Sequence, residues 1–387
     1  MSTIKVQNIQ HTGSSTNAIA LASDGTCTAN ITNNLSNRNV VINGEFQVAQ
    51  RGTSFTNIGS GGGGTSGYDD TYTLDRFLIS QGLSAGRCSV TQESDAPSGF
   101  YKSLKIATTT ADTSTAAGEY HRLLTKFEGQ DLQRFAKGTS DAKQFTVSFY
   151  CKANASATYV AELHDTDNDR AISKTFSVTT SWTRVKLTFA ADTTGAFNTD
   201  NLLSMTLALW FHAGSTYSSG TLQTNWGSMT AANRAVGIDS IFDSTNRTFF
   251  ITGVQLEATD TGVATDFEHR TFAQELALCQ RYCYADRGTN DYHAVAQGHF
   301  NGSTSGICML YTPVCMRAAP TISYPVGTWI LSGDAGTLSQ SNIYPSDNIG
   351  EVNAFQVRGT VSGAQSGEGF LLRTSSAGHT WILDAEL

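Results

Sequence analysis

The chain has 387 residues, of which 39% are hydrophobic, 10% aromatic and 15% charged, and its formal net charge is −8. This length and aromatic content are typical of a folded protein with more than one core, not of a disordered chain. The acidic balance argues against a nucleic-acid-binding surface, and no run of 18 apolar residues predicts a membrane span.

Residues 1–38 are polar and rich in Ser, Thr and Asn. Ile4, Val6 and Ile9 alternate as in a strand, and a second apolar patch runs from Ala18 to Leu21. Neither patch could bury a core alone. We therefore predict an arm that joins the chain to sister copies or to a larger assembly.

Residues 39–270 predict an all-β domain. Apolar and polar residues alternate with a period of two, which is the signature of half-buried antiparallel strands. The pattern occurs at residues 145–151, 185–189, 205–211 and 249–256. Many short strands separated by Gly-rich and Asp-rich turns predict a jelly roll or β-sandwich.

Residues 271–387 predict one connecting helix followed by a second, smaller β domain. Thr271 can cap the helix, with Gln274 as its capping-box partner. Apolar and thiol side chains then recur at helical spacing and predict the core-facing side: Phe272, Leu276, Cys279 and Cys283. A metal site with Cys279 and Cys283 as two of its ligands is the alternative to core packing, but the sequence offers no two further ligands close by.

The seven cysteines have no spacing typical of a small disulfide-rich domain, and the first ten residues lack the apolar run of a secretory signal. We therefore expect reduced, buried thiols in a protein that folds in a cytoplasm, without a disulfide network.

Asp165, Asp167 and Asp169 imitate the first half of a calcium loop. Arg170 stands where that loop needs glycine, and Phe176 stands where it needs glutamate, so we expect a solvated hairpin tip. Weak calcium binding there is the alternative; otherwise we expect no cofactor and no metal.

We predict no enzymatic activity. The chain has no Gly-x-Ser-x-Gly or His-Glu-x-x-His motif, and its eight histidines are scattered. A glycosidase pair of carboxylates stays open as an alternative, because such pairs assemble only in three dimensions.

Aromatic residues in polar loops are the candidate ligand-binding groups. A flat ring can stack on a sugar while neighbouring amides and hydroxyls bond its hydroxyl groups. Tyr217 and Trp226 lie in a Gly/Ser/Thr/Asn-rich loop, and Tyr292 and Trp329 lie in the C-terminal domain. The alternative for Tyr217 and Trp226 is a long loop that folds onto the sandwich and is anchored by its own aromatics.

Two segments resemble a family of bacteriophage tail-fibre and virion proteins. An Asn-Gly-x-Phe-x-x-x-Gln-Arg-Gly opening begins at Asn43 and is followed by Tyr72–Phe77. A Gly-Val-Gln-Leu-Glu close runs from Gly253 to Glu257 and is followed by Ala264–Arg270 and Glu275–Tyr282. The first nine residues are similar to fibre N-termini that dock on virions, notably in phages of marine bacteria. One departure is Asp266, where the family often has proline.

The resemblance implies a carbohydrate-module-like jelly roll in which the motif residues are structural, with Asp75 and Arg76 forming an ion pair. These structural motif residues are Asn43, Gly44, Phe46, Gln50, Arg51, Asp75, Arg76, Gln255, Leu256 and Glu257.

The function that the resemblance implies is that of a virion tail-fibre protein, folded in the host cytoplasm, that attaches to a host-surface polysaccharide without cleaving it. We expect a homotrimer whose arm contacts other virion proteins, and neither nucleic acid nor membrane as a partner. The alternatives are a purely structural virion protein, such as a head decoration or tail adaptor, and a polysaccharide depolymerase.

Overall fold

The computed structural model describes residues 5–15, 17–23, 25, 27–29, 36–59, 68–287, 291–323, 329–333, 336–340, 343–345, 352–374 and 380–387. Mainly β structure, with one connecting helix between two β domains, confirms the predicted fold class.

The arm forms a small antiparallel sheet from β1 (Asn8–Ile9), β2 (Ile19–Leu21) and β3 (Cys27–Ala29). The side chains of Val6, Ile9 and Leu21 are 42–50% exposed. This part of the arm therefore leaves apolar surface in solvent.

The first β domain is a jelly-roll sandwich of two sheets. Sheet 1 has the strand order β13-β10-β16-β8-β7-β4, and sheet 2 has the order β15-β12-β11-β14-β9-β6-β5. Their strands are β4 (Ser54–Ile58), β5 (Tyr68–Tyr72), β6 (Leu78–Gly82), β7 (Arg87–Glu93), β8 (Ser103–Thr110), β9 (Tyr120–Glu128), β10 (Gln144–Ala153), β11 (Ala157–Asp165), β12 (Arg170–Val178), β13 (Thr183–Phe189), β14 (Leu203–Ala213), β15 (Gly227–Ser228) and β16 (Thr248–Thr259).

The alternation seen in the sequence places the core between these sheets. Phe145, Val147 and Phe149 on β10 are fully buried, and Leu207 and Leu209 on β14 face them from sheet 2 within the same hydrophobic cluster. Strands with one buried face pack in this way because successive side chains point to opposite sides.

In the part of the chain that the structure describes, two short α-helices interrupt the β structure. Helix α1 (Ser215–Ser218) lies in the loop after β14, and helix α2 (Phe272–Gln280) follows β16. The predicted capping box at Thr271 and Gln274 is confirmed. Among the described residues, no helix is long and apolar enough to cross a membrane.

The predicted core-facing side of α2 is wrong in part. Cys279 is buried, but Phe272 is 52% exposed, and Cys283 lies beyond the helix in the next strand. The buried side of α2 carries Glu275, which pairs with Arg270 and accepts a hydrogen bond from the backbone N–H of Asn43. Helical spacing alone could not reveal this polar partner.

The C-terminal domain contains a small sheet, β17-β26-β20, and sheet 3, of order β22-β21-β25-β18-β19-β24-β23. A separate hydrophobic cluster that includes Phe300, Phe355, Phe370 and Trp381 forms its core. The strands are β17 (Cys283–Arg287), β18 (Ala294–Phe300), β19 (Ser305–Tyr311), β20 (Thr321–Ser323), β21 (Trp329–Gly333), β22 (Gly336–Gln340), β23 (Ile343–Pro345), β24 (Ala354–Thr360), β25 (Gly369–Thr374) and β26 (Thr380–Asp384).

The opening and closing motifs meet at β16. A Cβ on Gly44 would lie 2.1 Å from the Val254 carbonyl oxygen, so only glycine permits this approach. Asn43 bonds the Val48 backbone and the Asp75 carbonyl, and Phe46 is fully buried.

The closing motif residues are buried as well. Leu256 packs in the sandwich core, and Gln255 and Glu257 both bond the Thr265 hydroxyl. The motif residues therefore occupy structural positions.

The predicted ion pair between Asp75 and Arg76 is wrong. The Asp75 carboxylate accepts hydrogen bonds from the Gln50 backbone N–H (2.6 Å) and side-chain amide (2.7 Å). The Arg76 guanidinium instead pairs with Glu386, which Arg51 also contacts at 3.2 Å. The partner of Arg76 is 310 residues away in sequence, where no local pattern could indicate it.

Removing the Glu386 carboxylate should destabilise the protein strongly. Arg76 is 2% exposed, and Glu386→Ala would leave its buried charge unpaired, at a cost of about 3–5 kcal/mol in the free energy of unfolding. Urea unfolding of the full chain measures the loss. Asp243→Ala, which breaks the exposed Asp243–Arg247 pair, is the matched control and should cost less than about 1 kcal/mol. Equal losses in the two variants would contradict the assignment.

The described cysteines agree with reduced thiols. Cys88, Cys151, Cys279, Cys283 and Cys308 are free and buried, whereas Cys315 is free and exposed. Burial raises the pKa of Cys88, Cys151 and Cys308 to about 12, so these thiols do not ionise near neutral pH.

Iodoacetamide should therefore label Cys315 in the folded protein within minutes, and the five buried thiols only after unfolding. Peptide mass spectrometry with and without denaturant measures this pattern. Labelling of Cys88 or Cys279 at the rate of Cys315 in the folded protein would show that the core is open.

Candidate functional site

Tyr217 lies on α1 and is half-buried, not exposed as we expected. Its ring centroid is 5.5 Å from that of Tyr120 and 5.5 Å from that of Trp210, both on strands of sheet 2. The ring anchors the loop to the outer face of sheet 2.

Trp226 is also half-buried, in a different place. Its ring lies 5.5 Å from that of Phe145 at the edge of the sandwich core, and its indole N–H donates to the Ala190 carbonyl at 2.8 Å. For both residues the expectation of an open ring is wrong, and the alternative, a loop anchored by its own aromatics, describes their contacts. A role in ligand binding stays a prediction for them.

The loop covers a polar cluster on sheet 2. The indole N–H of Trp210 donates to Glu162 at 2.6 Å, and Arg234 from the loop binds the same carboxylate at 2.8 Å. The Arg122 guanidinium lies 5.0 Å from the ring centroids of Tyr120 and Trp210. Burial and the neighbouring Arg234 lower the pKa of Arg122.

The C-terminal residues cover the opposite end of sheet 2. The Tyr72 hydroxyl and the Lys126 ammonium both donate to the backbone oxygen of Leu387. The loop after β14 and the C-terminal residues together thus restrict a ligand's access to this face.

The side chain of Tyr292 is exposed, as we expected. Its side chain is 59% exposed, and its φ of 61° lies in the left-handed region that bulky residues rarely adopt. The neighbouring His293 fixes this turn, because its ring bonds Asp286 at 3.1 Å and its backbone bonds Thr374. Trp329 begins β21, but its side chain lies outside the described residues.

The outer face of sheet 1 carries an aromatic and charged group that the sequence analysis missed. We call it the Trp182 surface; its members are Trp182, Phe250, Lys152, Lys105 and Asp95. The rings of Trp182 and Phe250 are 6.2 Å apart, and the Lys152 and Lys105 ammonium groups lie 4.9 and 5.4 Å from the Phe250 ring centroid.

Asp95 organises the Trp182 surface. Its carboxylate, 49% exposed, accepts a hydrogen bond from the Trp182 indole at 3.1 Å and pairs with Lys152. Hydrogen bonds from Lys152 and Trp182 hold the pKa of Asp95 below its usual range, so it stays ionised at neutral pH. Strands β13, β10 and β16 bring these residues together, because Lys152 pairs with Phe250 across the sheet.

The predicted hairpin tip at Asp165–Asp169 is present between β11 and β12, but the expectation that it is solvated is wrong for Asp165, which is fully buried. The fully buried Lys137 ammonium neutralises the carboxylate of Asp165, to which it bonds at 2.5 Å. The same ammonium donates to the carbonyls of Thr194 and Gly195 and lies 3.1 Å from Asp192. The lysine thus fills the position that a cation would take. Calcium binding at this hairpin stays an untested alternative.

A second group with metal-ligand chemistry lies at one end of the sandwich. Asp112, Glu119 and His212 are buried, and their ligand atoms all lie within 4.8 Å of one another.

No protein-family model and no curated protein matches the chain. Among solved structures, a CBM4 module is similar at 12% identity and a TM-score of 0.27, over 56% of this chain and 98% of the module. The family 11 carbohydrate-binding module of a Clostridium thermocellum cellulosomal cellulase is similar at 10% identity and a TM-score of 0.27, over 53% of this chain and 95% of that one.

The enzymatically active domain of tailspike protein 4 from bacteriophage CBA120 is similar at 12% identity and a TM-score of 0.26, over 48% of this chain and 19% of that one. At these identities and TM-scores, none of the three similarities carries an argument about function. The jelly-roll assignment rests on the sheets described above.

Proposed function

We propose that this chain is a bacteriophage tail-fibre protein that binds a host-surface polysaccharide through its β domains without cleaving it. The observation that carries the proposal is the Trp182 surface, where aromatic rings and charged hydrogen-bonding groups share the outer face of sheet 1. Such a combination can stack on a sugar ring and bond its hydroxyl groups.

Two further features support the proposal. Most of the motif residues that resemble the tail-fibre family are buried, among them Asn43, Phe46 and Leu256, which is consistent with a structural role. Tyr292 adds an exposed ring on the C-terminal domain, which a fibre attached by its arm would present outward. Each site would bind weakly, and several copies would engage together.

Trp182→Ala and Tyr292→Ala should each weaken polysaccharide binding. Loss of one stacking ring costs about 2 kcal/mol, roughly a thirtyfold fall in affinity. Affinity electrophoresis of the full chain through gels that contain single bacterial or algal polysaccharides measures binding. Tyr311→Ala removes a 67% exposed ring elsewhere and is the matched control.

The same gels distinguish the alternatives. Retardation that both variants keep would reject these two surfaces as the binding site. No retardation by any polysaccharide of the host would favour a purely structural virion protein. Shortening of the polysaccharide would identify a depolymerase.

The assembly part of the proposal, a homotrimer held by the arm, has support from two apolar surfaces. Phe272 and Leu278 on α2 are 52% and 36% exposed, and Leu278 lines a mostly polar groove of about 560 Å³ that starts at Ser36 and Asn37, where the arm leaves the body. In this proposal the exposed apolar residues of the arm cover Leu278 on a second copy. Because the two surfaces differ, the contact is heterologous and can close into a ring.

Leu278→Asp and Ile9→Asp should each give a folded monomer, because each places a charge in the contact. A mixture of the two variants should form a heterodimer, because the intact arm of the Leu278→Asp copy can occupy the intact groove of the Ile9→Asp copy. The heterodimer cannot grow, because the arm and the groove that stay free are the altered ones. Size-exclusion chromatography with light scattering measures these masses. Leu83→Asp, which changes another exposed apolar residue, is the control and should stay trimeric. A trimer that survives Leu278→Asp would reject this contact.

A further inference from the structure

The end of the sandwich near Phe242 brings three side chains with metal-ligand chemistry together from distant parts of the chain, with a second histidine nearby. Asp112 and Glu119 lie in the connection between β8 and β9, and His212 lies near the end of β14. Their exposed fractions are 6%, 5% and 1%. His121 on β9 is the cross-strand partner of His212, and both imidazole rings contact Phe242.

A β-bulge turns His212 inward. The register between β14 and β9 shifts between Trp210 and His212, so that Trp210 faces the outer side while Phe211 and His212 both contact residues of the interior. Bulges re-aim side chains in this way and are frequent beside functional sites.

The orientation of the His212 ring suits a metal ligand. Its Nδ1 lies 2.8 Å from the Ser240 hydroxyl oxygen, and its Nε2 lies 3.1 Å from the nearer Glu119 oxygen. A ligating histidine typically donates its other N–H to such a neighbour, which fixes the tautomer. Two ligand atoms on one zinc ion, each about 2 Å from the metal, lie roughly 3–3.5 Å apart, which matches the separation of Nε2 from Glu119.

Asp112 is oriented by neutral donors. The Ser84 hydroxyl and the Ala85 backbone N–H donate to one of its oxygens at 2.7 and 2.8 Å, and the Ser114 N–H donates to the other at 3.2 Å. The oxygen that accepts only the Ser114 bond retains a lone pair for a further partner, since each carboxylate oxygen has two lone pairs.

His121 provides an independent sign of a missing partner. The Gln81 amide donates its N–H to the Gly86 carbonyl, so its oxygen accepts from His121 Nδ1 at 2.8 Å. In the neutral ring this leaves a lone pair on Nε2, which is fully buried and has no hydrogen-bond partner among the described residues. A buried nitrogen of this kind is costly unless something binds it.

We propose that Asp112, Glu119 and His212 bind a first-row divalent cation, with His121 on the neighbouring strand. Mixed imidazole and carboxylate donors without sulfur favour zinc or manganese, whereas calcium prefers six to eight oxygen ligands. The metal would tie the β8–β9 connection to β14, where the Gly214 N–H donates to the Glu119 carbonyl at the start of the covering loop.

The full chain, stripped with a chelator, should bind one equivalent of Zn²⁺ and show a saturable rise in Tm of a few degrees, because a ligand that binds only the folded state stabilises it. Mn²⁺ should act similarly, and Ca²⁺ should have no effect. Calorimetric titration gives the stoichiometry, and a thermal melt gives the shift.

Glu119→Gln and His212→Gln should weaken zinc binding by more than about tenfold. His164→Gln, which changes a half-buried histidine on β11 that pairs with Asp169, should bind zinc like the parent. Ser240→Ala keeps all three ligands but loses the bond that orients His212, so its affinity should be intermediate. This variant tests the proposal even where loss of a ligand impairs folding.

Three outcomes would overturn the proposal. The parent could fail to bind zinc or manganese saturably, the Glu119 and His212 variants could bind zinc as tightly as the parent, or calcium could be the only ion that stabilises the chain. None of these results depends on polysaccharide binding or assembly, so failure here is separate from failure of the proposed function.

Discussion

The carboxylate of Glu386 lies between the guanidinium groups of Arg51 and Arg76, where its side chain is 3% exposed. A buried charge of this kind is tolerated only with its partners in place. The Arg76 guanidinium also lies 3.4 Å from the ring centroid of Tyr282, just before β17, and the Gln50 side chain donates to the Cys283 carbonyl. One ionic cluster therefore holds β17 and the end of β26 against the jelly roll. This explains why the opening motif is structural, since its polar residues form the joint between the two β domains.

Local periodicity was sufficient to predict the sandwich and the start of α2. The alternation on β10 reports burial directly, and the cap at Thr271 involves residues only three apart. The exposed side of α2 and the true partner of Arg76 were not predictable, because both depend on residues far away in sequence. Similarly, the composition around Trp226 indicates a loop, but the direction of its ring depends on Phe145, 81 positions earlier, and on the carbonyl of Ala190.

The candidate sites illustrate the same limit. Trp182, Phe250 and Asp95 become neighbours only through the pairing of β10 with β13 and β16. His212 and Glu119 are 93 residues apart, and the bulge that turns His212 inward leaves no pattern in the sequence. The aromatic positions chosen from loop composition were reasonable by chemistry, but composition cannot distinguish a ring that anchors its own loop from one that faces solvent.

The negative charges of two groups of buried carboxylates in this sandwich are compensated in different ways. Asp165 and Asp192 face the Lys137 ammonium, which reaches four oxygen partners. Arg170 also pairs with Asp192, so two cations of the chain neutralise the two carboxylates. Asp112 faces neutral hydroxyl and amide donors, and Glu119 faces the imidazole of His212.

A lysine supplies a permanent charge at neutral pH, whereas an imidazole can instead supply a lone pair. The first group therefore needs nothing from solution. The second group offers carboxylate and imidazole donors of the kind that a divalent cation binds, so a metal from solution can complete it.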